Sequence, residues 1–280
     1  MTLNSVPHFI YLHSMKSPIS IAIIQNDAGS DVKSNLHVLQ SMINGIDNAD
    51  LIALPEVFAL RGDDDALRRG AETLDGMIVS SLSEWARNLN AWILCGSILE
   101  RDGDDIFNTS ILLDRNGDIA ASYRKIHLFE VRLENNIVIR ESDVYSPGDR
   151  PVTADVEGWK CGLSICYDLR FPELFRYYSS RGVNVIFAPS NFTQRTGRDH
   201  WNILVRARAI ENQCFVVAPA QCGLMPGKEI ETHGHSMAVG PWGEVLCEAG
   251  GKPCVLRAEL HSDLLKQTRN RVPALEHRKL

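Results

Sequence analysis

Three side chains of this chain have the types needed to cleave an acyl bond, and each stands where an apolar run gives way to polar residues. Cys166 closes the run Gly162-Leu163-Ser164-Ile165-Cys166 and is followed by Tyr167-Asp168-Leu169-Arg170. Pro172 and Glu173 come next, two residue types that suit the first turn of a helix, the acid because the helix start is electropositive. The pattern predicts a buried strand over 162–166, with Cys166 at its carboxyl end, and then a helix over 172–181. Open α/β sheets bind ligands at such strand ends, and a helix N-terminus favours the thiolate, the nucleophilic form of Cys. On this stretch alone, Cys166 reads equally well as a nucleophile or as a small buried hydrophobe. Glu56 follows the run 49–54 through Pro55, and Lys125 follows the run 119–123. A carboxylate, an ammonium and a thiol can act as base, acid and nucleophile. Taken singly, Glu56 and Lys125 read as solvated surface charges.

The elements that must carry these groups are legible from periodicity. Strands are predicted over 19–25, 49–54, 92–99, 106–113, 119–123, 152–156, 162–166, 183–188, 214–218, 236–239, 245–248 and 255–258. Helical spacing of apolar residues marks 31–46, with Asp31 as N-cap, 74–89, 172–181, and 199–213 with Asp199 as N-cap. Asn116-Gly117 between two strand runs signals a hairpin. Residues 126–151 show no period, and a stretch that long without one is commonly functional. Hairpins mix with strand–helix–strand units, which predicts one α/β domain over 18–280 with two mixed sheets covered by helices. Residues 1–17 are unpatterned and read as a disordered or non-native N-terminal extension, and Met15 stands directly before the first strand as an alternative start.

Composition narrows the function classes. The 280 residues are 44% hydrophobic and 23% charged, which is ordinary for a globular chain. A net charge of −6 gives no basic footprint for nucleic acid. There is no apolar run of membrane-spanning length. The 7 Cys are odd in number and form no CxxC pair, a pattern of reduced thiols in a cytoplasm-like compartment rather than of disulfides or a zinc cluster. His233 and His235 stand two apart but lack a third ligand at suitable spacing, so a structural role is expected.

Three separated motifs, Leu54-Pro55-Glu56-Val57-Phe58, Tyr123-Arg124-Lys125-Ile126-His127 and Gly162-Leu163-Ser164-Ile165-Cys166-Tyr167-Asp168, occur in an order that resembles the nitrilase, or carbon–nitrogen hydrolase, superfamily. The resemblance implies a four-layer αββα sandwich, a Glu56-Lys125-Cys166 triad, no metal or organic cofactor, and a homodimer. It implies that Cys166 attacks an amide carbon while Glu56 moves protons between thiol, leaving nitrogen and water. Lys125 and the backbone N–H of Tyr167 would hold the oxyanion. It further assigns Glu141, in Arg140-Glu141-Ser142, to orient Lys125, leaving Glu130 and Glu134 as loop charges. Phe192, Thr193, His127 and Arg195 are the expected substrate contacts, with Arg170 as a structural residue and Arg198 as a surface ion pair. His127 also reads as a satisfied residue behind the site. The segments 204–223 and 234–246 resemble the branch that cleaves deaminated glutathione. An ω-amidase acting on 2-oxoglutaramate is the alternative, and an idle binding protein on the same fold is a second. Asn191 departs from the branch, where Ala is frequent, and would change the polarity of the pocket.

Overall fold

A computed structural model of the protein describes residues 15–132, 138–227 and 230–279. The first half runs β1 (Ile19–Gln25), α1 (Val32–Ile43), β2 (Leu51–Ala53), α2 (Asp64–Gly70), α3 (Met77–Leu89), β3 (Trp92–Asp102), β4 (Asp105–Leu113) and β5 (Ile119–Arg124). A small ribbon of β6 (Glu130–Arg132) and β7 (Val138–Arg140) follows. The second half runs β8 (Thr153–Val156), β9 (Trp159–Leu163), α4 (Pro172–Ser180), β10 (Val185–Phe187), α5 (Gln194–Asn212) and β11 (Phe215–Ala218). A second ribbon, β12 (Cys222–Leu224) with β13 (Glu231–His233), leads to β14 (Met237–Val239), β15 (Val245–Glu248), β16 (Cys254–Leu260) and α6 (Ser262–Arg271).

These strands form two six-stranded sheets, ordered β16-β1-β2-β3-β4-β5 and β15-β14-β11-β10-β9-β8. Each has a parallel trio, β1-β2-β3 or β9-β10-β11, flanked by antiparallel strands. The layering follows from the two-residue period of a strand. On β1, Ile21 and Ile23 join the core that holds Leu163, Phe187 and Val217 of the second sheet. Ala22 and Ile24 point the other way, onto Leu36 and Leu39 of α1 and Leu82 and Trp85 of α3. Trp201 and Val205 of α5 and Phe175 of α4 cover the far side of the second sheet. The order helix, sheet, sheet, helix is the four-layer sandwich that the motifs implied.

Several boundaries differ from the sequence-based expectation. The strand predicted over 162–166 is Trp159–Leu163, so Cys166 lies beyond its end. α5 begins at Gln194 with Thr193 as N-cap. Asp199 is therefore inside the helix, paired with Arg198 at 2.9 Å on an exposed surface. The short α2 and both ribbons were not predicted, because they are short and carry too few buried apolar residues to mark a run or a period. Asp31 does cap α1, accepting the Ser34 N–H at 2.8 Å. Residues 15–17, expected in a tail, are packed instead: Met15 is buried, the Lys16 N–H donates to Glu157 at 2.9 Å, and Trp159 Nε1 donates to the Lys16 carbonyl at 2.7 Å. Residues 1–14, the rest of the expected tail, lie outside the described residues.

His233 at the end of β13 stacks on His235, with ring centroids 4.3 Å apart, and packs on Gly197 of α5. A Cβ on Gly197 would lie 2.2 Å from the His233 ring, so a glycine is needed there. Burial first, and then the neighbouring His235, lower the His233 pKa to about 4. Between about pH 4 and the ordinary histidine value, the unfolded chain therefore binds a proton that the folded chain does not. Stability from this group is complete above that window and is lost as pH falls through it. The melting temperature of His233→Gln is expected to fall less than that of the wild type between pH 7 and pH 5. Parallel slopes in thermal melts at the two pH values would contradict this.

Candidate active site

Glu56 sits three residues past the end of β2, in a turn that is tightly backed. Gly96 of β3 passes so close that a Cβ there would lie 1.9 Å from the Pro55 carbonyl oxygen and 2.2 Å from that of Leu54. Ser97 Oγ accepts the Val57 N–H at 3.0 Å, and Val57 is held at φ 47°, a left-handed conformation that is costly for a β-branched residue. The Glu56 carboxylate is thereby fixed in the interior, with its side chain 4% exposed. Asn108 Nδ2 donates to its Oε1 at 3.0 Å.

Lys125 lies one residue beyond β5, its N–H bonded to the Asn108 carbonyl at 2.8 Å and its own carbonyl accepting from Gly148 N at 2.8 Å. Its side chain is wholly buried. Nζ is 2.9 Å from Glu56 Oε1 and 2.9 Å from either oxygen of Glu141. Glu141 opens a 3-10 turn directly after β7, and its Oε2 also accepts the Phe129 N–H at 2.7 Å. Burial alone would discharge the lysine, but Glu141 and then Glu56 outweigh it, and its pKa stands well above the ordinary value. Burial raises the Glu141 pKa, with Lys125 opposing and Glu56 adding to the rise. The three groups form one buried cluster with a locked ammonium at its centre.

Cys166 opens a 3-10 turn, Cys166–Arg170, at φ 47°. Its N–H donates to the Pro189 carbonyl at 2.9 Å, which ties the turn to the end of β10. The thiol pKa is pushed well above its ordinary value, first by burial and then by the Glu56 charge, with Lys125 opposing. This corrects the expectation drawn from the helix start: the resting group is a thiol next to a carboxylate, not a preformed thiolate. The arrangement suits transfer of the thiol proton to Glu56 as the sulfur attacks. Tyr167 is the second residue of the turn, a position whose N–H has no acceptor within the turn.

A cavity opens on this cluster. Glu56, Glu141, Cys166 and Tyr167 line it, and Phe129, Asn191, Phe192 and Thr193 add to the walls. Phe192 and Thr193, expected as substrate contacts, are both on the cavity wall. The buried Oδ1 of Asn191 has no hydrogen-bond partner among the described residues. Arg140 and Arg170 also reach the wall. Arg170 lies 5.6 Å from the centre of the Phe192 ring and within 3.4 Å of His200 Nδ1, so it is part of the pocket as well as of the loop. Two expected contacts are corrected. Arg195 is exposed on the first turns of α5 and is not part of the wall. His127 stands behind the wall: it stacks on Phe171 at 3.7 Å, and its Nδ1 is 2.7 Å from Asp168 Oδ1. Glu130 is exposed on β6, and Glu134 lies outside the described residues.

Sequence reasoning missed three supports. Asn108 holds Glu56 from inside β4, where nothing in the sequence marks it. Arg208 of α5 is buried and donates from Nε to the Leu169 carbonyl at 3.0 Å, beneath the Cys166 turn. Asp168 is fully buried, and its signal was available: an acid two residues after a candidate nucleophile, directly past the end of an apolar run. Among the described residues, no group of three or more His, Cys, Asp or Glu is arranged to hold a metal ion.

The fold and this cluster define a class, and the sequence profile of the carbon–nitrogen hydrolase family matches residues 20–270. The chain belongs to that family. Among its relatives, a deaminated glutathione amidase from Synechocystis sp. is 38% identical over 268 residues, covering 93% of this chain and 98% of the relative. The deaminated glutathione amidase of Rattus norvegicus is 40% identical over 250 residues, covering 82% of this chain and 72% of the relative. Among solved structures, Saccharomyces cerevisiae Nit3, a nitrilase superfamily member, superposes with a TM-score of 0.84 at 30% identity, covering 95% of this chain and 98% of that one. The C. elegans NitFhit protein superposes with a TM-score of 0.87 at 33% identity, where the match covers 95% of this chain and 66% of the longer protein.

Proposed function

We propose that the protein is an amidase that cleaves a linear C–N amide bond through a thioester on Cys166. The observation that carries this reading is the Lys125 ammonium, held 2.9 Å from both Glu56 and Glu141 beside the buried Cys166 thiol, which lines the cavity. Glu56 takes the Sγ proton as sulfur bonds to the carbonyl carbon. The oxyanion is held by Lys125 Nζ and the Tyr167 N–H, and each such donor is worth roughly 2.7–4 kcal/mol. Collapse of the adduct breaks the C–N bond, and the proton on Glu56 goes to the leaving amine. Water, deprotonated by Glu56, then attacks the thioester and releases the acid and the thiol.

The proposed substrate is deaminated glutathione, giving 2-oxoglutarate and cysteinylglycine. Similarity to deaminated glutathione amidases at 37–40% identity supports it. Arg140 and Arg170 on the cavity wall support it too, since this substrate carries carboxylates that need cationic partners. The test is a comparison of kcat/KM for deaminated glutathione and 2-oxoglutaramate. A clear preference for the first is expected, whereas equal values or the reverse order would remove the substrate assignment.

We further propose a homodimer built on α5. Ile203 and Ile210 on that helix are apolar and exposed, and Gly243, next to the exposed Trp242, lies against Ile210; clustered exposed apolar side chains mark association surfaces. A cytoplasm-like reducing compartment fits the seven free thiols. No helix among the described residues is long and apolar enough to cross a membrane.

A further inference from the structure

We propose that Asp168 is a positioning residue that fixes the Lys125 segment against the Cys166 turn, and so sets the spacing between the two halves of the oxyanion site. The proposal rests on the reading of Glu56, Lys125 and Cys166 given above. Asp168 has no reacting atom within its reach, yet its side chain is wholly buried and receives hydrogen bonds from both catalytic segments. From the nucleophile's side, the N–H of Ile165, the residue before Cys166, donates to Oδ2 at 2.8 Å. From the lysine's side, Tyr123, two residues before Lys125, donates its hydroxyl to the same Oδ2 at 2.7 Å. The N–H of His127, two residues after Lys125, donates to Oδ1 at 3.2 Å, and the His127 ring nitrogen Nδ1 is 2.7 Å from it. One carboxylate thus brackets Lys125 on both flanks and grips the turn that presents Cys166 and Tyr167.

Apart from Asp168, the two segments meet through apolar and aromatic contacts, among them Phe129 on Tyr167 at 5.0 Å. Tyr123 and His127 flank the end of β5 in the first sheet, whereas Ile165 and Asp168 follow β9 in the second. Packing between sheets resists separation strongly but sliding only weakly, because apolar contact has no direction. Hydrogen bonds to a carboxylate are directional and roughly twice as strong as neutral ones, so Asp168 supplies the restraint that packing lacks. Two further contacts extend it. The Tyr123 hydroxyl accepts the Ile126 N–H at 3.3 Å. The His127 ring lies flat on Phe171, which meets the edge of Tyr167 at 5.3 Å. The restraint therefore reaches both donors proposed for the oxyanion, Lys125 directly and Tyr167 through the aromatic contacts.

Asp168→Asn tests this, because an amide nitrogen facing one of these donors breaks the bracket while keeping the volume. Two reactions of Cys166 are compared. Amide hydrolysis passes through an oxyanion. Alkylation of the thiol by iodoacetamide does not: sulfur bonds to the methylene carbon, iodide leaves, and the thiol proton passes to Glu56. A misplacement of about 1 Å costs on the order of 10²-fold in rate. Asp168→Asn is therefore expected to lose about that factor in kcat, with KM nearly unchanged and with Cys166 alkylation, read by peptide mass, nearly unchanged. Tyr123→Phe, which removes a single donor, should show the same split at about tenfold, and it reads the proposal should Asp168→Asn fail to fold. Wild-type hydrolysis in either folded variant overturns the proposal. So does an equal loss of hydrolysis and alkylation, the mark of a general structural defect. Cys166→Ala run in parallel keeps the two readings apart: hydrolysis that survives it removes the nucleophile assignment itself, whatever Asp168→Asn does.

Discussion

Cys166→Ala is expected to fold normally and to hydrolyse no amide. The residue contributes a single small side chain to the core, and Ala keeps the backbone contact from Cys166 N to the Pro189 carbonyl. Loss of a nucleophile that acts as a unit with its base costs on the order of 10⁶-fold in kcat. The wild type mixed with substrate and quenched should carry an acyl group on the peptide that contains Cys166, and the variant should carry none. The high thiol pKa adds a second expectation. Because burial and Glu56 keep the resting sulfur protonated, attack depends on Glu56 being ionised and correctly aimed. Turnover by the variant, or an adduct on another residue, would show that a different group performs the attack.

Lys125→Met should damage both activity and stability. Removal of an oxyanion donor costs about 10²–10³-fold in kcat. The stability loss has a separate origin. With the ammonium gone, Glu56 and Glu141 face each other in the interior without a counter-charge, and breaking a buried pair from one side typically costs about 3–5 kcal/mol. The pH dependence has a definite sign. One of two carboxylates sharing a site keeps its proton, so its folded pKa rises above the unfolded value. The folded variant then binds a proton that the unfolded chain releases, and its stability falls as pH rises above the ordinary carboxylate range. Denaturant melts should therefore place Lys125→Met nearest to wild type in mild acid and furthest from it at pH 8. Adding Glu141→Gln should restore much of the stability and none of the activity. A double variant no more stable than Lys125→Met alone would mean that the two carboxylates are not the source of the loss.

The parts of the fold that were legible in the sequence are those with a long period or a strong cap. β1 reads directly from its apolar run, and α1 from its spacing together with Asp31. The candidate groups Glu56, Lys125 and Cys166 were legible as types at the ends of strands. The 2.9 Å contact of Lys125 with Glu56 was not, because no local pattern records contact between residues 69 positions apart. The helix over 194–198 was missed because its first turn, Gln194-Arg195-Thr196-Gly197-Arg198, carries no apolar residue, and Asp199 offered a more familiar cap. Arg195 was misplaced for the same reason: once its segment is helical, it turns outward, away from the cavity. The elevated thiol pKa was hidden because burial and a facing carboxylate arise from tertiary structure, whereas the helix start that argued the other way is local.

The sheet order carries a consequence for how the chain is made. β1 lies between β2 and β16, and it pairs with β16 along its whole length, from Ile19 opposite Leu260 to Gln25 opposite Cys254. During synthesis, β1 to β5 emerge early, but the β1 edge of that sheet stays unpaired until residues 254–260 have left the ribosome. An open edge of unpaired backbone groups invites pairing with another chain. The first half therefore cannot mature by itself as an independent folding unit. Its Glu56 and Lys125 wait on the strand at residues 254–260, and loss of that strand would release an aggregation-prone edge while leaving both side chains in the chain.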